Sequence, residues 1–364
     1  METLPHTPPQ PRTLRKGRAA TSNPPSRYDS QVPVESDDGW GFLDEALPPL
    51  RTTVEDDASR SIIARNQSPD LPFDRSINPY RGCEHGCVYC FARPTHAYLG
   101  LSPGQDFETR LFAKPHAAKL LEAELRKPDY QCRFMALGTN TDPYQPIERQ
   151  RRITRDVLQV LADYNHPVGI VTKSDLVTRD IDILAPMAAK GLARVYVSVT
   201  TLDRGLARTL EPRAATPVRR LDAIRALSAA GIPTGVSMAP IIPAINDAEI
   251  ENILAAAAQT GASAAMGLLL RLPLEVAPLF REWLAVHAPL KADHVMNLLR
   301  DMRGGKDYDA QWHKRMAGNG PYAALITRCF DLAAERHGLA IRDWALDRAQ
   351  FALPPRTGDQ LSFL

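Results

Sequence analysis

The chain has 364 residues, 44% of them hydrophobic and 24% charged, a composition able to bury a large core. Its 44 basic and 42 acidic residues leave a formal net charge of +2, so charge alone does not call for a nucleic-acid partner, although a local basic groove is allowed. No apolar run reaches the roughly 20 residues that cross a bilayer, and the first residues are polar and Pro-rich, so a cytoplasmic protein without a membrane partner is expected.

From Met1 to about residue 70, prolines cluster at Pro8-Pro9, Pro24-Pro25 and Pro48-Pro49 and regular apolar periods are few. This predicts a disordered or loosely draped arm over residues 1–70, with a basic patch at Arg12, Arg15, Lys16 and Arg18 and an acidic one from Glu55 to Asp57. Residues 1 to about 65 are expected to be dispensable for metal binding by the rest of the chain, with Trp40, Phe42 and Leu43 as the segment that would dock on the folded domain.

Order is expected from Leu71, where short β-rich runs begin to alternate with helical periods. Strands are predicted at Ile77–Arg81, Arg133–Leu137, Val168–Thr172, Val195–Thr200, Thr234–Met238 and Ala265–Leu270, with an additional strand or hairpin over Phe107–Ala113. A helix is predicted over Pro115–Arg126. Another starts at Thr154, where Val157, Val160, Leu161 and Tyr164 share one face, and a third follows Pro217 and stops at Gly231. Asn246 and Glu249 read as a capping box for a helix that ends at Gly261. About six strand–helix alternations predict right-handed βαβ units on a parallel sheet, as a complete barrel, a partial barrel or an open doubly wound sheet.

From about Leu290 to Gly338 two or three helices enclose a polar stretch with Arg300, Arg303, Lys306, Tyr308, Trp312, His313, Lys314 and Arg315. It reads either as a surface that grips phosphates and stacks bases or, diluted by Asp301, Asp307 and Asp309, as a solvated lid over the mouth of the sheet.

Three of the five cysteines, Cys83, Cys87 and Cys90, lie in one loop directly after the first predicted strand, with Gly82 and Gly86 allowing a tight backbone. Thiolates suit iron-sulfur clusters or zinc. Three ligands point to an iron-sulfur cluster with one open iron position; a zinc ion completed by His85, His96 or His116 and a closed structural cluster are the alternatives. Cys132 and Cys329 read as small apolar residues.

This Cys-x3-Cys-x2-Cys loop, with Tyr89 before the last cysteine, resembles the signature of the radical S-adenosylmethionine superfamily, and within it the branch related to spore photoproduct lyase and described as DNA-repair-photolyase-like. The resemblance is carried by Asn78-Pro79-Tyr80-Arg81-Gly82-Cys83, Gly138-Thr139-Asn140-Thr141-Asp142-Pro143-Tyr144, Val171-Thr172-Lys173, Ser198-Val199-Thr200 and Ala239-Pro240-Ile241-Ile242-Pro243. It covers about Leu71 to Pro273. It implies an α/β fold, a partial (β/α)6 barrel of the radical SAM type, with the core over residues 71–285 and a helical extension and tail over 286–364.

The resemblance further implies a [4Fe-4S] cluster on Cys83, Cys87 and Cys90, S-adenosylmethionine as cofactor, and a reductant protein such as flavodoxin or ferredoxin. The activity would be reductive cleavage of S-adenosylmethionine to a 5'-deoxyadenosyl radical, acting on a substrate that the sequence does not name. Lys173 and Ser198 match positions that contact the cofactor carboxylate. Thr139 lies where the cofactor amine is received, Tyr89 and Phe91 are placed to pack on adenine, and Ile241 belongs to an apolar shelf for the same ring. Asp142 and Glu148 are candidate contacts to ribose or substrate. Gly138 stands where spore photoproduct lyase has a hydrogen-returning cysteine, which argues against thymine-dimer repair. The competing readings are a nucleic-acid repair or modification factor with a structural or redox-sensing cluster, and an electron-transfer protein.

Overall fold

The computed structural model describes residues 17–29, 50–341 and 346–355. The chain opens with β1 (Thr53–Asp56), β2 (Ile63–Arg65), β3 (Arg75–Ile77) and β4 (Tyr80–Arg81), then α1 (Gln105–Thr109), β5 (Arg110–Ala113) and α2 (Ala117–Leu125). There follow β6 (Met135–Leu137), α3 (Glu148–Arg151), α4 (Ile153–Asp163), β7 (Val168–Thr172), α5 (Ile181–Ala189) and β8 (Ala193–Ser198). The second half holds α6 (Arg204–Leu210), α7 (Pro217–Ala229), β9 (Thr234–Ile241), α8 (Ile250–Gln259) and β10 (Ala264–Leu269). It closes with α9 (Val276–His287), α10 (Ala292–Asp301), α11 (Gly320–Arg336) and β11 (Ala340–Ile341).

The main sheet has the order β2-β3-β6-β7-β8-β9-β10-β11. Only β2 is antiparallel to its neighbour; every pair from β3 to β11 is parallel. Each new strand is laid beside the previous one, as βα units of one hand require. Among the described residues the edge strands β2 and β11 do not pair with each other, and the six parallel strands β3 and β6–β10 lie in the order of a partial barrel.

Registered neighbours in a sheet point to the same side, and this sorts the strands into two faces. Leu137, Ile170 and Val195 lie side by side on one face, and they join Leu121, Val157, Leu184, Ile224 and Leu254 of the flanking helices in the main hydrophobic core. The other face carries Val171 beside Tyr196 and Ser198 beside Ser237. A second, three-stranded sheet, β1-β5-β4, stands at the start of the cysteine loop. No helix among the described residues is long and apolar enough to cross a membrane.

All six predicted sheet strands are present, with shifted ends: β6 starts only at Met135, β8 runs from Ala193 to Ser198 and β9 continues to Ile241. The first of the six is interrupted after Ile77, because Pro79 has no N–H to give to the ladder, and Tyr80–Arg81 joins the small sheet instead. The segment Phe107–Ala113 is half helix and half strand, with β5 starting only at Arg110.

The expectation of a loose arm is corrected for its described parts. Ala19 and Ala20 are buried, the Arg18 guanidinium donates to the Glu108 carbonyl at 2.8 Å and to Thr52 Oγ1 at 2.9 Å, and β1 pairs with β5. What docks this segment is a polar network around Glu108 and a strand pairing, neither of which leaves an apolar period. Arg12, Arg15, Lys16, Trp40, Phe42 and Leu43 lie outside the described residues.

The capping box is also corrected. Asn246 accepts from Ile242 N at 2.6 Å and donates to the carbonyls of Thr200 and Pro240, while Glu249 accepts from Thr201 Oγ1 and Leu202 N. Both side chains join the loops that follow β8 and β9, and α8 begins beyond them at Ile250.

At the C-terminal side, β11 extends the sheet and α11 packs on α8. Some charges of the polar stretch are paired, while Lys306 and Lys314 are exposed. Asp307 pairs with Arg281 and with Arg300, Arg315 pairs with Asp70, and buried Arg303 donates to the carbonyls of Leu270 and Lys314. The stretch is thereby strapped to the end of β10, in keeping with a lid.

Candidate active site

The cysteine loop leaves β4 through Gly82. Gly82 and Gly86 both have left-handed φ, +72° and +66°, and a Cβ on Gly82 would stand 2.9 Å from the Phe107 carbonyl while one on Gly86 would stand 2.8 Å from Glu108 Oε2. Only glycine fits without displacing the wall behind the loop. Cys83 N donates to the Phe107 carbonyl at 2.9 Å, Glu84 N to Gln145 Oε1 at 2.9 Å, and Val88 N to the Leu210 carbonyl at 3.1 Å. The loop is thus held from three separate segments.

Behind it lies fully buried Arg93, whose guanidinium donates to the carbonyls of Gly86, Cys87, Pro103 and Gly104 and to Glu108 Oε1 at 2.5 Å. Glu108, equally buried, also accepts from Ala19 N and Ala20 N. A planar five-donor fork is the one side chain that can tie so many acceptors. This clamp was missed in the sequence. Its only trace there is an arginine three residues past the last cysteine.

Cys83 and Cys87 are buried and Cys90 half-buried. Burial pushes all three thiols up, Cys87 to about 12. For Cys83 the charges of Asp142, Cys87 and Cys90 add to the rise, whereas Lys173 acts against it at Cys87 and Cys90. Among the described residues no three His, Cys, Asp or Glu side chains stand as a ready grip for a single ion. Three thiols that burial and one another keep protonated are stabilised as thiolates once a positive inorganic core replaces the protons. The donor set therefore fits an iron-sulfur cluster. Cys132 precedes β6 and Cys329 is exposed on α11, so neither belongs to this loop.

Asp142, in the turn after β6, is a junction between elements. It accepts from Lys173 N at 2.7 Å, from Thr172 Oγ1 at 2.7 Å and from Tyr144 N at 2.9 Å, and its Oδ2 lies 3.3 Å from His85 Nδ1, off the line of a formed hydrogen bond. Burial opposes its ionisation, but the His85 ring and the donors from Lys173 and Thr172 outweigh this and hold the carboxyl at about 2. Its oxygens are thus occupied in tying β6, β7 and the cysteine loop together.

Lys173 follows the end of β7, half-buried, with Nζ 5.8 Å from the centroid of the Tyr89 ring. Tyr89 is buried and its hydroxyl donates to Glu211, which also accepts from Thr200 Oγ1 at 2.7 Å and from Arg220. Arg220 donates in turn to the Ser198 carbonyl at 3.1 Å. Burial works against the Glu211 charge, and Arg220, Lys173 and the Tyr89 and Thr200 hydroxyls outweigh it. A buried carboxylate pair of this kind, absent from the sequence reading, links Tyr89 of the cysteine loop to Ser198 at the end of β8.

Ser198 is buried beside Ser237, whose buried hydroxyl has no hydrogen-bond partner among the described residues. Thr139 lies half-buried in the turn after Gly138. Phe91 is 40% exposed, with the Arg271 guanidinium 4.3 Å from its ring centroid. Ile241 is buried at the end of β9 and packs towards Gly267 of β10. Glu148 is placed differently from a ribose or substrate contact: fully buried, it accepts from the Tyr80 hydroxyl, Thr154 N and Arg179, which together occupy its carboxylate and anchor α4.

Residues 77–257 match the family model described as the Radical SAM superfamily. An uncharacterized protein of Mycobacterium tuberculosis is 38% identical over 242 residues, which cover 65% of this chain and 71% of the relative. An uncharacterized protein of Methanocaldococcus jannaschii is 28% identical over 173 residues, covering 48% and 62%. Among solved structures, a mutant of spore photoproduct lyase superposes with a TM-score of 0.56 at 15% identity over 80% of this chain and 82% of that one. Spore photoproduct lyase complexed with dinucleoside spore photoproduct gives 0.54 at 15% identity, over 79% and 80%. At that identity the likeness is one of fold.

Proposed function

This chain belongs to the radical SAM superfamily, and from that premise we propose that it is an enzyme that reductively cleaves S-adenosylmethionine at a [4Fe-4S] cluster on Cys83, Cys87 and Cys90. The single observation that carries the reading is a loop of three thiols, two buried and one half-buried, clamped by Arg93 and Glu108, beside the C-terminal ends of β7 and β8. Ligands in parallel sheets bind at that end. When bound and reduced, the cluster would supply the one electron that breaks the sulfonium carbon–sulfur bond of the cofactor, giving methionine and a 5'-deoxyadenosyl radical.

The chain's own residues bind, orient and exclude water. Lys173, whose N–H is fixed by Asp142, carries an ammonium with no carboxylate ion pair among the described residues, which suits it to the cofactor carboxylate. Ser198 and Ser237 offer neighbouring hydroxyls on the same face of the sheet. Thr139 stands near the place of the cofactor amine, and Phe91 and Ile241 contribute apolar surface. Tyr89, held by Glu211, covers the loop and presents its ring to Lys173. A flavodoxin- or ferredoxin-like protein is the proposed reductant.

Return of hydrogen from a cysteine at position 138 is not part of this reading. A Cβ there would overlap the Val171 carbonyl, and φ is +82°. The substrate is therefore sought outside thymine-dimer repair.

The test is anaerobic reconstitution of the full chain, followed by iron analysis and assay for 5'-deoxyadenosine under reducing conditions. About four irons per chain and reductive release of 5'-deoxyadenosine are expected, both abolished by Ala at Cys83, Cys87 or Cys90 and both kept by Ala at Cys132 or Cys329. Stoichiometric zinc in protein purified without oxygen overturns the reading.

A further inference from the structure

Two residues past the end of β10, the half-buried guanidinium of Arg271 stacks over the ring of Phe91, the residue next to Cys90. Stacking covers one π face and leaves the N–H edge directed elsewhere. Among the described residues this edge has no hydrogen-bond or ion-pair partner. Arg303 is close enough for its charge to be felt; its N–H groups go to the carbonyls of Leu270 and Lys314, and Asp309 acts on it without forming an ion pair among the described residues. Arg315, the third cation of the group, is balanced by Asp70. Half-buried Arg271 is thus left without an ion-pair partner among the described residues beside the cysteine loop, and the charge of buried Arg303 next to it is offset only from a distance by Asp309.

Taking a cation out of water without an anion is costly. The uncompensated charge is positive and the free edge of Arg271 is planar and suited to paired oxygens, so a phosphate group, whose terminal oxygens can meet one guanidinium edge in parallel in a diester or a monoester alike, matches it. We propose that Arg271, backed by Phe91 and by the charge of Arg303, binds a phosphate group of the substrate at the end of β10. This extends the radical SAM reading of the same site to the class of its substrate: a phosphate ester, either of a small molecule or of a nucleic-acid backbone.

The test is equilibrium binding to the full-length, cluster-reconstituted protein, using inorganic phosphate, a nucleoside 5'-monophosphate and a single-stranded oligonucleotide with unphosphorylated ends. The parent is expected to bind a phosphate-bearing probe, and Arg271→Gln to weaken it by roughly tenfold to a hundredfold with an unchanged melting temperature. Arg271→Lys should be intermediate, and Phe91→Leu, which removes the stacking surface but no charge, should weaken it less. An effect on the monophosphate assigns a terminal phosphate; an effect on the oligonucleotide alone assigns a backbone phosphate. Equal binding by parent and Arg271→Gln, or no binding of any probe by the parent, overturns the proposal.

S-adenosylmethionine binding, read from the spectrum of the reduced cluster, separates this from the underlying reading. It should be unchanged in Arg271→Gln. Loss of S-adenosylmethionine binding with phosphate binding kept would assign Arg271 to the cofactor and overturn the phosphate site. Absence of S-adenosylmethionine binding in the parent overturns the radical SAM reading instead, and the phosphate titration still decides the site.

Discussion

Asp142 accepts the backbone N–H of Lys173 at 2.7 Å while its other contacts reach His85 in the cysteine loop, so one carboxylate sets the position of both the thiols and the proposed cofactor lysine. Its folded pKa of about 2 lies below the ordinary 3.8. A depressed carboxylate contributes stability that is present above the unfolded pKa and lost as pH falls through the folded one. In the protein without cluster, Asp142→Asn should therefore be less stable than the parent at neutral pH by about 2 kcal/mol. The difference should shrink as pH is lowered from about 4 to about 2. Urea denaturation at a series of pH values measures it, and a pH-independent difference would assign the loss to packing alone.

Lys173→Ala should leave cluster assembly intact and weaken S-adenosylmethionine binding by roughly tenfold to a hundredfold, the worth of one charge-assisted hydrogen bond. Titration of the cofactor into the reduced protein, followed by the cluster's spectrum, reads both at once. Tight binding by the variant would return Lys173 to the role of a surface lysine packed on Tyr89.

Arg93→Ala removes the donor shared by four carbonyls and Glu108, leaving a buried carboxylate that, among the described residues, is served by Ala19 N and Ala20 N alone. Breaking a buried pair in this way costs about 3–5 kcal/mol. The melting temperature and the iron content should both fall. Arg93→Lys should restore little, because an ammonium has three donors where the fork has five. Full iron loading by Arg93→Ala would show that the loop keeps its shape without the clamp.

A protein that starts at Ser68 loses β1, β2 and the N–H groups of Ala19 and Ala20 that serve Glu108. Each unserved buried acceptor costs about 1–3 kcal/mol, so the shortened chain should melt well below the parent and reconstitute poorly. A shortened chain that melts with the parent would mean that Glu108 finds other donors.

The cysteine loop, the six parallel strands and the helices between them were legible because each is encoded locally. Thiolate spacing fits within eight residues, from Cys83 to Cys90, and a strand buried on both faces, such as Val168–Thr172, is a continuous apolar run wherever it occurs. Lys173 and Ser198 were singled out by the resemblance, through Val171-Thr172-Lys173 and Ser198-Val199-Thr200 at the ends of two such runs. The tertiary structure alone decided how the site is held. Arg93 meets Glu108, Glu211 meets Arg220 and Tyr89, Asp142 meets Lys173, and Arg271 meets Phe91, across separations of up to 180 positions in the chain. A buried charge has no period and no fixed spacing to its partner, so its pairing is set only when the sheet brings distant loops to one end. The same reason hid the docking of residues 18–20, which are bound by hydrogen bonds to Glu108 and not by an apolar face.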